Sequence, residues 1–124
     1  MAASTVDIST PSGLKKFRET DLDGTKAAVD ATSGTLHSIV VDNTANAAEV
    51  EYLKLWDVAS GSVTVGTTAP DWVFKIPAAV KRTIVFHDGV AYGTALTAAC
   101  VTTAGTAGTT NPTANVIVEF IFET

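Results

Sequence analysis

Charge is what this sequence has least of. Only 17% of its 124 residues are Asp, Glu, Lys or Arg, while 46% are hydrophobic, so the chain can fill a core but must leave much of its surface uncharged. Basic residues are the scarcer sign: Lys15, Lys16, Arg18, Lys26, Lys54, Lys75, Lys81 and Arg82 are scattered against 13 acidic residues, for a net charge of −5. A phosphate-backbone footprint needs clustered Lys and Arg, so nucleic acid is not an expected partner. The lone cysteine, Cys100, excludes an internal disulfide and reads as a small apolar strand residue. No stretch approaches the ~20 apolar residues that span a bilayer, and the start MAASTVDISTPSG has neither a basic nor an apolar leader segment. The expectation is a chain made in a cytoplasm and not held in a membrane.

Histidine is nearly absent. His37 and His87 have no second His or Cys at metal-ligand spacing, and their polar neighbours Ser38 and Asp88 would point to opposite faces of a strand, so neither pair suits proton transfer. Glycines form no phosphate loop, because GTTAP is followed by neither Lys-Ser nor a helix pattern. One stretch deserves weighing as a metal loop: Glu19, Asp21, Asp23, Gly24 and Asp30 fall at the first, third, fifth, sixth and last places of a calcium-loop spacing. Asp is usual at the first place and Glu at the last, Lys26 stands where an apolar anchor belongs, and no helix pattern flanks it. A solvated turn is the reading taken. No metal and no cofactor is expected.

Threonine and alanine supply roughly a third of the residues, and threonine's β-branch suits a pleated, half-buried surface. Short candidate strands follow one another between turn residues. They are Leu14 to Arg18, Thr25 to Asp30 at an edge, Gly34 to Val41 closed by Asp42-Asn43, Val50 to Trp56, Trp72 to Ile76 between Pro70 and Pro77, Thr83 to Phe86, and Val116 to Phe122. His87-Asp88-Gly89 reads as a tight turn. Within Val50 to Trp56 the apolar parity changes, which implies a bulge or cover on both faces. No window has helical spacing, so an all-β, antiparallel β-sandwich, jelly-roll-like, is expected. It should form one domain over residues 14–124, preceded by a flexible N-terminal arm over residues 1–13. Its core should hold Leu36, Ile39, Val41, Tyr52, Leu53, Leu55, Phe74, Ile76, Ile84, Phe86, Val118 and Phe120. In the arm, Val6 and Ile8 are the apolar anchors with which it could contact a partner.

The order LHSIVVDNT, YLKLWD, VGTTAP, IPA and FHDGVAYGTALTA, followed by a Thr-rich stretch and a last strand, resembles a family of small tailed-bacteriophage virion structural proteins of the capsid decoration (cement) type. The likeness runs from Leu36 to Leu96, about half the chain. The sequence departs from the pattern at Trp56, where tyrosine is commoner, and at Lys81-Arg82, where glycine is frequent. The resemblance implies a non-enzymatic protein with no catalytic residues that binds the major capsid protein on the outer capsid surface, as a homo-oligomer expected to be a trimer. The alternative is a receptor- or carbohydrate-binding fibre head, which needs Trp56 or Trp72 in water.

Overall fold

The computed structural model describes residues 3–7 and 13–124. Nine strands are formed among them: β1 (Ala3–Asp7), β2 (Leu14–Glu19), β3 (Ala27–Asp30), β4 (Gly34–Asp42), β5 (Glu51–Trp56), β6 (Trp72–Ile76), β7 (Lys81–Tyr92), β8 (Leu96–Val101) and β9 (Ile117–Glu123). One turn of 3-10 helix, Ser60–Ser62, is the only helix among these residues. The strands make two antiparallel sheets, ordered β1-β2-β9-β4-β7 and β3-β8-β5-β6. The all-β sandwich expected from the strand-and-turn spacing is the fold.

The pairing is nested. The hairpin β5·β6 is innermost, β4 pairs β7, β3 pairs β8, and β2 pairs β9. Between the sheets the period-two patterns meet: Phe17, Leu36, Ile39, Val41, Val118, Phe120 and Phe122 from the first sheet pack against Ala27, Val29, Leu53, Leu55, Ile76, Leu96, Ala98 and Cys100 from the second. Side chains of both sheets fill one continuous core, as in packed pleated layers whose inner faces interdigitate. Phe17 and Phe120 meet with ring centroids 6.2 Å apart. Of the expected core, Tyr52, Phe74, Ile84 and Phe86 are only partly buried. Leu22, Tyr92, Leu96, Val116 and Phe122 are buried as well.

Two expectations change. His87-Asp88-Gly89 is not a turn: β7 runs through it to Tyr92, and the chain leaves the sheet only at Gly93–Ala95, on its way to β8 in the other sheet. Leu36 pairs with Val90 and Ser38 with Val85, so Phe86–Gly89 lie opposite the single residue His37. The tight-turn signal of Asp-Gly is spent on a bulge, in which Gly89 takes the left-handed φ of 76° that it adopts without a Cβ clash. Part of the segment read as an arm is a strand. Ala3–Asp7 pairs antiparallel with β2, Val6 opposite Lys16. Ile8 lies outside the described residues.

Candidate functional site

The two outer faces of the sandwich are built from similar strands and treated differently. On the β3-β8-β5-β6 sheet the outward row Lys54, Trp56, Thr97, Ala99 and Val101 is buried, because the β5–β6 loop (57–71) and the β8–β9 loop (102–116) fold over it. Trp56 is 1% exposed, packs with Val63 and Ala99 in a second small core, and donates its indole Nε1 to Thr68 O at 3.0 Å. Lys54 is 0% exposed and donates Nζ to Gly105 O at 2.6 Å. Burial holds its pKa below the ordinary lysine value. Lys26 donates to Val63 O from the neighbouring loop. The parity change in VEYLKLW therefore marks a strand covered on both faces.

Each end of the sandwich is locked by a polar side chain, buried Asn43 at one and half-buried Asp57 at the other. At one end Asn43 donates Nδ2 to Glu49 O and Pro77 O, at 3.0 and 3.1 Å, and Asn46 donates to Asn43 Oδ1 and Ala114 O, at 2.9 and 3.0 Å. These bonds tie the β4–β5, β6–β7 and β8–β9 connections together. At the other end the Asp57 carboxylate accepts from the main-chain N–H groups of Gly93, Thr94 and Ala95, at 2.8, 2.8 and 3.2 Å. Burial alone would raise the Asp57 pKa, and these three donors outweigh it, so it lies below the ordinary aspartate value. Close by, Tyr92 donates its hydroxyl to Asp30 Oδ2 at 2.7 Å, and Thr124 donates to the same oxygen. Tyr92 also crowds Gly34, where a Cβ would come within 2.6 Å of its hydroxyl.

One acidic pair stands apart. Glu51, fully buried at the start of β5, lies beside Glu49, whose carboxylate accepts from Thr113 N and Oγ1 at 2.9 and 2.8 Å. Burial first, then the neighbouring Glu49 carboxylate, push Glu51 up to about 8, while Glu49 moves below its ordinary value. The pair holds one proton on Glu51 near neutral pH.

The residues of the calcium-like spacing do not converge. Glu19 accepts from Asp21 N, Asp23 from Thr25 N, and Asp30 belongs to the Tyr92 lock. Among the described residues no three His, Cys, Asp or Glu side chains come together as a cation site. His37 is the extra residue of a β4 bulge against β9, with Nε2 3.7 Å from Glu123 Oε1. His87 is exposed in the β7 bulge. Cys100 is buried in β8, and burial pushes its thiol up. The polar groups nearest to chemistry are engaged in holding loops.

The outer face of the β1-β2-β9-β4-β7 sheet is open. Its registered rows are Arg18–Glu119–Val40–Thr83 and Lys16–Ile121–Ser38–Val85, and every one of these residues is exposed or half-buried. Lys16 and Arg18 both pair with Glu119, at 3.4 and 3.2 Å. Towards β7 the surface turns apolar and hydroxylic, ending at Val85, which is 71% exposed. This face and the β7 edge beside it are the candidate contact surface. Comparison with family models, with curated proteins and with solved structures finds no match to this chain.

Proposed function

We propose that this chain is a non-enzymatic bacteriophage capsid decoration protein, which binds the major capsid protein on the outer surface of the virion as a homo-oligomer. The observation that carries the reading is where the motif residues of the phage-like segment fall. Asn43, Trp56-Asp57, Thr68, Pro77 and Gly93–Ala95 are the groups that fasten loops to the sandwich. A sequence pattern made of fastenings fits a rigid building piece better than a catalyst. We read the nested pairing β5·β6, β4·β7, β3·β8 and β2·β9 as the winding of a jelly roll, an architecture that capsid proteins use. The alternative of a glycan-binding fibre head has less support, since Trp56 is buried and Trp72 is half-buried against the core.

The open sheet face is the surface such a protein has to offer a shell, with Val6 and Ile8 of the N-terminal segment as further contacts. Co-sedimentation with empty tailed-phage heads tests this. Saturable binding to the heads, lost in Ile121→Arg without a change in melting midpoint, is the expected result. Deleting residues up to Ser12 should weaken retention on the heads. A protein that stays in the supernatant at every concentration overturns the proposal.

A further inference from the structure

We infer that Asp88-Gly89 is a site of spontaneous modification, where the main chain rearranges through a succinimide to isoaspartate, and that the fold shields the other Asp-Gly pair, Asp23-Gly24, from the same reaction. The inference goes beyond the proposed function and does not depend on it. In the reaction the main-chain nitrogen of Gly89 attacks Cγ of the Asp88 carboxyl in its acid form. The N–Cγ bond forms, and the amide hydrogen and the carboxyl hydroxyl leave as water. Water then adds to the succinimide ring. If the N–Cγ bond breaks, aspartate returns. If the bond from that nitrogen to the main-chain carbonyl carbon breaks instead, the chain runs on through Cγ and a free α-carboxylate is left. The product has the mass of the starting chain, and water is the only co-reactant. Glycine after the aspartate favours the attack, because no Cβ hinders the approach of its nitrogen.

The reaction needs an unengaged carboxyl and a following nitrogen free to swing onto it, and the two pairs differ in both. Asp88 is exposed, and among the described residues nothing hydrogen-bonds or ion-pairs with its carboxylate. Leu36 pairs with Val90 and Ser38 with Val85, so neither Asp88 nor Gly89 has a registered partner in β4. Gly89 turns the bulge with its left-handed φ of 76°. β7 ends its sheet, so no second strand clamps the bulge from the other side. The chain can therefore rotate at Asp88-Gly89 without breaking a registered pair. At Asp23-Gly24 each group is held. Gly24 N donates to Asn111 Oδ1 at 2.9 Å, the Asp23 carboxylate accepts from Thr25 N at 2.8 Å, and Asp23 O accepts from Cys100 N at 3.0 Å. Gly24 is also hemmed in, since a Cβ there would lie 2.8 Å from Thr109 O. Attack on Asp23 Cγ has to wait for this loop to open.

Trypsin separates the two sites, because residues 19–26 and 83–124 fall in different peptides and the second has Asp88 as its only aspartate. The full chain is kept warm for weeks at mildly acidic pH, folded or in urea, and electron-transfer fragmentation of the peptides locates and counts isoaspartate. In the folded chain it should accumulate about tenfold faster at residue 88 than at residue 23, whereas in urea the two rates should agree to within about twofold. Asn111→Ala, which takes away the acceptor of Gly24 N, should speed the reaction at residue 23 severalfold in the folded chain. Equal rates at the two sites in the folded chain, or a tenfold difference that persists in urea, overturns the inference. An Asn111→Ala chain with the parent's circular dichroism spectrum, in which residue 23 reacts no faster, overturns the shielding. None of these outcomes bears on binding to phage heads.

Discussion

The two outer faces of this sandwich differ in what covers them. On the β3-β8-β5-β6 side two long loops turn outward positions into a second interior, with Trp56, Ala99 and Val63 packed together and Lys54 held by loop carbonyls. On the β1-β2-β9-β4-β7 side equivalent positions, Val40, Ile121 and Ser38, stay half-buried and Val85 stays exposed. Both faces come from strands of ordinary alternation. The lesson is that a strand's outward residues become core or surface according to loops far away in sequence, and the face left open is the one free to meet another molecule.

The sharpest way to break this contrast is to truncate the roofed face. Trp56→Ala removes a 1% exposed indole and its bond to Thr68, and should cost about 3–5 kcal/mol in urea unfolding, as large core truncations do. A loss under 1 kcal/mol would show that the loops do not form a second core. Asp57→Ala comes next. It leaves the N–H groups of Gly93, Thr94 and Ala95 without their acceptor, and about 2–3 kcal/mol is expected by the same measurement.

pH provides a third handle. Glu51 is raised from 4.5 to about 8, so the folded state keeps a proton that the unfolded chain gives up. Its stabilising contribution is complete below pH 4.5 and declines as pH rises through about 8. Asp57 and Glu49 are shifted down, so their contributions are lost as pH falls below the ordinary carboxylate values. The melting midpoint should therefore be highest between about pH 4.5 and 6 and fall towards pH 8.5, and Glu51→Gln should flatten that fall. A midpoint that rises steadily to pH 8.5 would contradict a buried Glu51 that keeps its proton. The smallest effect belongs to the open face: Ile121→Thr should change stability by less than about 1 kcal/mol, with the midpoint within a few degrees of the parent. A loss comparable to Trp56→Ala would mean that this face, too, is covered.

Much of the fold was legible in the sequence, and the reason is local. Trp72, Phe74 and Ile76 alternate with Asp71, Val73 and Lys75, and the strand is there; Val118, Phe120 and Phe122 alternate with Glu119 and Ile121, and all three face the core. The Asp-Gly at residues 88–89 misled because the same left-handed glycine serves a turn or a bulge, and only the partner strand decides which. The contact surface was less legible. Val85 and Ile84 look alike in sequence, and nothing local says which of them meets water.

The sequence by itself determined that the chain is β, where its strands lie and where most turns fall, because period-two alternation and turn chemistry are properties of neighbouring residues. Tertiary structure alone decided which strands adjoin, that Lys54 and Trp56 are interior, that Asp57 caps the Gly93–Ala95 turn, and which sheet face stays open. Those outcomes depend on pairs far apart in the chain, Lys54 with Gly105 and Asp57 with Gly93, whose meeting is set by the packing of two whole sheets and by no single segment.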